Sequence, residues 1–163
     1  MITADNKLNV TLPSDTEIVM SRAFDAPREL VFRAMYDPAL IPQWWGPRKY
    51  ETIVEHMDFR VGGKWRFLNK SKSGEVFTFF GEYREIVAPE KVVQTFGFEG
   101  MPFEPGLVVY TFTEREAGCL VTERSIFNTK EERDGILQSG MEEGARETYE
   151  RLAELVDRLN KKA

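Results

Sequence analysis

Alternating hydrophobic and polar residues fill the middle of this chain, and helical spacing appears on either side of them. The first alternation is "TEIVMSRAF", where Ile18, Met20 and Phe24 share one parity and predict a strand with a buried face. The next stretch, "APRELVFRAMY", carries Pro27 in a first helical turn, after Asp25 as a candidate N-cap. Its apolar stripe predicts a helix and consists of Leu30, Val31, Ala34 and Met35.

A second cap-and-proline signal follows at once. Asp37 and Pro38 predict the start of another helix, which Pro42 and Gly46 keep short. The sequence therefore places two short helices between the first two strands.

Two adjacent tryptophans, Trp44 and Trp45, close this connection. Neighbouring residues on a helix point about 100° apart, so the two rings cannot fill the same place in a core. We expect Trp44 to pack inward as the lid of a pocket and Trp45 to cover the corner against the first helix. In the alternative interpretation, both rings only fasten the two helices to the sheet.

From Tyr50 onward the pattern becomes a series of short alternating stretches separated by turn residues. The turns include the Gly62-Gly63 pair and the segments "NKSKSG", "VAPE", "EGMPFEPG" and "REAG". With the first strand, the pattern predicts about seven strands. Because the connections are too short for crossover helices, we expect an antiparallel sheet.

The chain ends in helical spacing. "TKEE" is typical of a capping box, with Thr129 and Glu132 opening a short helix that Gly135 and Gly140 limit. A long amphipathic helix follows, and its stripe must be buried against the sheet, which predicts one α+β domain over residues 1–163. The apolar positions of that helix are Met141, Ala145, Tyr149, Leu152, Val156 and Leu159.

Composition narrows the range of partners. The 163 residues are 42% hydrophobic, which suffices for one domain with a sizeable core. Lys and Arg number 22 against 27 Asp and Glu, a formal net charge of -5, and no basic cluster points to nucleic acid. A single cysteine, a polar beginning and no apolar run near the roughly 20 residues of a membrane span favour a cytoplasmic protein without membrane insertion. Both a monomer and a homodimer remain open.

Aromatic residues of the predicted strands collect on one face of the sheet. They form either a solid aromatic core or the wall of a pocket, and Gly81 leaves space among them. Small residues at the start of the last helix, Gly140, Gly144 and Ala145, and several tyrosine hydroxyls favour a pocket. The predicted ligand-binding residues are Trp44, Trp65, Phe67, Phe79, Tyr83, Phe96, Tyr110, Met141, Ala145 and Tyr149.

The sequence predicts no catalytic residues, no cofactor and no metal site. The only histidine, His56, lacks a second histidine and is expected to be a solvated strand residue. Cys119 has no nearby base and is expected to be a small buried or edge residue. Asp58 and Arg60 favour a surface pair, whereas Arg124 either meets an anionic ligand head or faces solvent.

Four segments resemble the motifs of a known family. They are "FDAPRELVFRAMYDPALIPQWWGP", "DFRVGGKWRF", "GEYREIVAPEKVV" and "GMEEGARETYERLAELV". Over residues 13–160 the chain is similar to the activator of heat-shock protein 90 ATPase homologue 1-like family, within the START and Bet v 1-like superfamily. The resemblance implies a helix-grip fold, in which a curved antiparallel sheet wraps around the C-terminal helix, often with an apolar cavity between them.

Three functions are compatible with these residues. The first is non-enzymatic binding of a small hydrophobic or aromatic ligand such as a lipid, polyketide or flavonoid-like compound. The second, implied by the family resemblance, is stimulation of a heat-shock chaperone ATPase, with the chaperone as partner in a stress response. The third is a cyclase or hydratase that uses the same cavity, because this superfamily carries several activities on one fold.

Overall fold

The computed structural model describes residues 6–162, which form one antiparallel sheet of eight strands, three α-helices and one 3-10 helix. The strands are β1 (Asn9–Thr11), β2 (Glu17–Phe24), β3 (Glu51–Met57), β4 (Lys64–Lys70), β5 (Val76–Val87), β6 (Lys91–Phe98), β7 (Gly106–Arg115) and β8 (Gly118–Ile126). The helices are α1 (Arg28–Tyr36), the 3-10 helix (Ile41–Gln43), α2 (Lys130–Gln138) and α3 (Met141–Lys162).

The sheet has the strand order β1-β2-β8-β7-β6-β5-β4-β3, with every neighbouring pair antiparallel. Short connections join β3 through β8 in sequence, whereas α1 and the 3-10 helix carry the chain from β2 to the far edge of the sheet. The curved sheet holds α3 against its inner face. The predicted α+β helix-grip fold is therefore confirmed.

Eight strands are present where the alternation predicted about seven, because β1 adds a short edge strand. This strand has only three residues, Asn9–Thr11, and pairs with β2. A stretch so short carries too little alternation to stand out from the surrounding polar sequence.

The connection after β2 differs in detail from the prediction. Helix α1 begins at Arg28 with Pro27 as its N-cap, so Asp25 does not cap it. In place of a second α-helix, the Asp37 side chain accepts a hydrogen bond of 2.9 Å from the backbone N–H of Ala39, and only the 3-10 turn follows. An Asp side chain that binds the backbone two residues on forms a turn, which competes with a helix.

The α2–α3 junction contains one left-handed residue, Gly140, with φ at +85°. Sequence spacing placed Gly140 on the long helix, but α3 begins one residue later, at Met141. Glycine adopts this φ without the steric cost that a Cβ would bring. The predicted cap of α2 is confirmed, because Thr129 Oγ1 accepts a hydrogen bond of 3.1 Å from the N–H of Glu132.

Helix α3 closes the core by burying one side. Tyr149, Leu152, Leu155 and Val156 are all buried on that side, and each fully buried side chain of this size contributes roughly 1.5–3 kcal/mol. Below them lie residues from across the sheet and α1, among them Ile18, Val31, Trp65, Phe112 and Val121. Of the helices within residues 6–162, none combines the length and apolar character that crossing a bilayer requires.

Candidate ligand-binding cavity

A cavity of about 460 Å³ lies between the inner face of the sheet and the first two turns of α3. The turn after the 3-10 helix, the loop before β7 and the α2–α3 junction close its sides. Its wall is predominantly apolar, and the main side chains are Met20, Met35, Trp44, Trp45, Phe79, Phe96, Phe98, Met101, Leu107, Tyr110, Glu123, Ile136, Met141, Ala145 and Tyr149.

Seven of the ten predicted ligand-binding residues face this cavity in the structure: Trp44, Phe79, Phe96, Tyr110, Met141, Ala145 and Tyr149. The other three, Trp65, Phe67 and Tyr83, are buried beside it without lining it. Sequence parity predicted that the strand residues among the ten face inward, but parity does not say how deep each ring lies.

Trp65 lies one layer behind the wall because it fills the space over Gly81. A Cβ built on Gly81 would stand 2.5 Å from Trp65 Nε1 and would also meet the carbonyl oxygen of Thr95. The expectation that Gly81 leaves this face open is therefore wrong, since the indole of Trp65 already occupies the space over it. Trp65 in turn supports the wall, with its ring 5.5 Å from that of Phe96.

Phe67 and Tyr83 belong to neighbouring aromatic clusters. The Phe67 ring packs between Trp65 and Trp45, at centroid distances of 4.9 Å and 5.3 Å. Tyr83 packs edge-on against Phe59 at 5.0 Å, further toward α1. Both residues therefore hold the wall in place from behind.

The two adjacent tryptophans both line the cavity, and Trp44, for which only an inward position was predicted, is also the one that contacts the first helix. Trp44, 6% exposed, donates a hydrogen bond of 2.8 Å from Nε1 to the carbonyl of Ala34 and so fastens the corner to α1. That carbonyl would normally accept from residue 38, but Pro38 has no N–H to give. Trp45 instead meets the sheet, with its ring 5.1 Å from Phe79.

One end of the cavity is polar. Tyr149 on α3 donates a hydrogen bond of 2.6 Å to Oε1 of Glu123 on β8. Tyr110 on β7 is the direct cross-strand partner of Glu123, and both of them line the cavity. Burial raises the pKa of Glu123 to about 6, while the hydrogen bond from Tyr149 acts in the opposite direction.

Sequence reasoning missed Glu123 and Trp45. Glu123 has the parity of Val121 and Ser125, both buried on β8, and this shared parity was the available signal. A glutamate on a strand ordinarily faces water, so polarity hides the position. Trp45 was missed because its direction depends on the turn geometry at the corner rather than on a periodic pattern.

Hydrogen bonds of Arg151 and Arg48 tie the corner to α3. The guanidinium of Arg151 donates to the carbonyls of Gly46 at 2.6 Å and Gln43 at 3.2 Å, and Arg48 binds Glu154 at 2.6 Å. These contacts fix one side of the cavity. The start of α3 supplies Gly144 there, whose added Cβ would only touch Pro47 Cγ at 3.8 Å.

The remaining candidate residues lie away from the cavity. His56 is exposed on β3, and Asp58 pairs with Arg60 at 2.8 Å on the surface, as expected. Arg124 points outward to Glu17, with 52% of its side chain exposed, so it does not face the cavity. Cys119 is buried, and its burial raises the pKa of the thiol to about 11.

This arrangement defines a class: a helix-grip protein of the START and Bet v 1-like kind, with an apolar space between sheet and helix. Within that class, the chain belongs to the family described as Activator of Hsp90 ATPase homolog 1-like protein, whose model matches residues 25–157.

Solved structures of bacterial proteins share the fold. A protein from Rhodobacter sphaeroides is 21% identical over 93% of this chain and 99% of its own, with a TM-score of 0.88. A protein from Arthrobacter aurescens is 24% identical over 92% of this chain and 91% of its own, with a TM-score of 0.84. A third, from Mycobacterium smegmatis, is 25% identical over 90% and 94% of the two chains, with a TM-score of 0.82. No curated protein matches the chain.

Proposed function

We propose that the protein binds a small hydrophobic or aromatic molecule, such as a lipid, polyketide or flavonoid-like compound, in the cavity between the sheet and α3. The observation that carries this proposal is a space of about 460 Å³ that no side chain of the described residues fills. The cavity is partly open, so its mostly apolar wall meets solvent and not packed side chains. A ligand that covered this wall would gain roughly 25 cal/mol per Å² of apolar surface removed from water.

The wall suits a flat, apolar guest. Trp45, Phe79 and Phe96 bring their rings together there, with Trp45 edge-on to Phe79 and nearly parallel to Phe96. Aromatic side chains supply large contact areas and prefer offset or edge-to-face packing, which a guest ring can continue. Pockets for small molecules usually fall between about 300 and 1,000 Å³ and are mostly apolar with a few polar groups.

The proposed ligand-contacting residues follow from the wall. They are Trp44, Trp45, Phe79, Phe96, Tyr110, Met141, Ala145 and Tyr149. Trp65, Phe67 and Tyr83 are proposed to support these rings rather than to touch the ligand.

A fluorescent probe tests the proposal. N-phenyl-1-naphthylamine, a neutral apolar dye, should brighten on binding and should be displaced by the neutral compounds hexadecanol or naringenin. Ala145→Phe should abolish the signal, because it places a ring in the cavity. Ala153→Phe lies further along the same helix and outside the cavity wall, so the folded variant should keep the signal. A flat titration with the wild-type protein across such apolar compounds would contradict the proposal.

A second candidate function is stimulation of a heat-shock chaperone ATPase, supported by the family to which the chain belongs. Its test is the ATP hydrolysis rate of purified Hsp90 with increasing amounts of this protein. A dose-dependent rise that Ala145→Phe leaves intact would support a chaperone role separate from the cavity. An unchanged rate at saturating concentrations would argue against it.

A further inference from the structure

Among the described residues that line the cavity, Glu123 has the one charged side chain. Only Oε1 is engaged there, by the hydroxyl of Tyr149 at 2.6 Å. Within residues 6–162, Oε2 receives no hydrogen bond and the carboxylate forms no ion pair. Glu123 is half-buried in a mostly apolar wall, and an ionised carboxylate in such a place is stabilised by a cationic partner, which none of the described residues supplies.

Two arginines on the strand of Glu123 and on α3 are engaged elsewhere. Arg124, the next residue on β8, turns outward and binds Glu17. Arg151 on α3 donates to the backbone carbonyls of Gln43 and Gly46 at the corner. Within the described residues, neither arginine pairs with Glu123, so its carboxylate is available to a cationic group of a ligand.

The walls around Glu123 also suit a cation. Tyr110 and Tyr149 flank the carboxylate, and Trp44 and Trp45 line the same space. Faces of Trp and Tyr rings attract ammonium groups, and the attraction strengthens where water is excluded. An anionic headgroup, in contrast, would meet a like charge and no Lys or Arg among the lining residues described.

We propose that the ligand of this cavity is an apolar or aromatic amine, whose protonated nitrogen pairs with Glu123 between Tyr110 and Tyr149 while its apolar body fills the space toward Trp45, Phe79 and Phe96. This inference rests on the proposed function and names the class of ligand. The hydroxyl of Tyr110 forms no hydrogen bond within residues 6–162. It supplies a second acceptor for an ammonium N–H.

The pairing depends on pH in a defined direction. The titratable groups that face Glu123 are Tyr110 from β7, Tyr149 from α3 and Tyr36 from α1, whereas β2 presents the uncharged Met20. Burial raises the pKa of all three tyrosines well above 10, so they stay neutral across the accessible range. A primary amine stays protonated as Lys does, with an ordinary pKa of about 10.4. Glu123, with a pKa of about 6, is the group that changes charge.

The test compares three probes of one shape: 1-naphthylmethylamine, 1-naphthylmethanol and 1-methylnaphthalene, measured by calorimetry at pH 8. The amine should bind at least about tenfold more tightly than either neutral probe. The reason is that a hydrogen bond between charged groups lowers the dissociation constant by roughly ten times more than a neutral contact does. Glu123→Gln should remove this advantage and leave the affinity for 1-methylnaphthalene within about twofold. Glu51→Gln, at an exposed position of β3, should change nothing.

A wild-type measurement makes the result independent of the variant's folding. Between pH 8 and pH 5 the advantage of the amine should shrink as Glu123 takes up a proton, while the affinity for 1-methylnaphthalene should stay constant. An amine that binds no better than the methyl compound, or an alcohol that equals the amine, would overturn the amine proposal and leave apolar binding intact. Failure of all three probes to bind would count against the proposed function itself.

Discussion

The hydroxyl of Tyr149 donates a hydrogen bond of 2.6 Å to the carboxylate of Glu123, which joins the C-terminal helix to the last strand inside an apolar space. The bond connects the two elements that enclose the cavity. It also leaves a charge in the interior, because burial raises the pKa of Glu123 from 4.5 to about 6.

The first prediction concerns stability against pH. Between pH 4.5 and about 6 the folded protein holds a proton on Glu123 that the unfolded chain has released, so the stability contributed by this group falls as pH rises through that window. At pH 8 Glu123→Gln should therefore be more stable than wild type by about 2 kcal/mol, and at pH 4 the two should be nearly equal. Urea denaturation at both pH values measures the difference.

Glu51→Gln is the matched control, because it removes an exposed carboxylate of the same size. It should shift stability by less than about 0.5 kcal/mol at either pH. A Glu123→Gln protein that is less stable than wild type at pH 8 would contradict a net cost of burying this carboxylate.

The second prediction asks whether the space beside α3 is empty. Ala145 lines the cavity, so the ring of Ala145→Phe should enter it and leave stability unchanged or raised, at about 25 cal/mol per Å² of apolar surface buried. Ala153 packs directly against the core on the same helix, so Ala153→Phe should lose roughly 1–3 kcal/mol through overpacking. Chemical denaturation of the two variants compares them. Equal losses in both would mean that the space near Ala145 is filled.

The third prediction tests the close contact behind the wall. Gly81→Ala would drive a methyl group into the indole of Trp65 and the carbonyl of Thr95, at a cost toward the upper end of the 1–3 kcal/mol typical of overpacking. Gly135→Ala, inside α2 with nothing within 4 Å of the new Cβ, should instead gain up to about 1 kcal/mol. Thermal melts should move in opposite directions for the two variants. A neutral Gly81→Ala would refute the contact.

The fourth prediction separates the two adjacent tryptophans. Trp44→Phe leaves the carbonyl of Ala34 without a donor, and Ala34 is 0% exposed, so water cannot replace the lost bond. The free energy of unfolding should therefore fall by about 1–3 kcal/mol beyond the effect of the lost ring volume. Trp45→Phe removes a similar volume without breaking a hydrogen bond between described residues, and should cost less. Urea midpoints of the pair give the comparison. A larger loss for Trp45→Phe would reverse the assignment.

Periodic patterns predicted the parts of the fold that repeat. The parity of β2 through β8 and the stripe on α3 could be read from the sequence, because a buried face repeats every second or every 3.6 residues. The capping box at Thr129 could also be read, since it depends on residues three apart. These local signals were sufficient for an antiparallel sheet packed against a long C-terminal helix, and the family resemblance implied the helix-grip fold.

Depth and cross-strand neighbours could not be read in the same way. Trp65 and Phe79 share a face of the sheet, yet only Phe79 reaches the cavity, because Gly81 on the adjacent strand gives the indole of Trp65 a place to lie. Glu123 becomes a cavity residue only when Tyr149 on a distant helix meets it. Both outcomes depend on contacts between segments far apart in sequence, which no single-strand pattern contains.

The strand order also governs how the sheet meets other molecules. Its two ends are β1, three residues long, and β3, whose register shifts between Val54 and His56. The short strand β1 offers few unpaired backbone groups, and the bulged strand β3 carries Glu51 and Glu55 and does not present its backbone in a flat row. Edges of these kinds resist pairing with a strand from another chain. The protein can therefore keep an open sheet around an apolar interior without presenting a template for edge-to-edge aggregation.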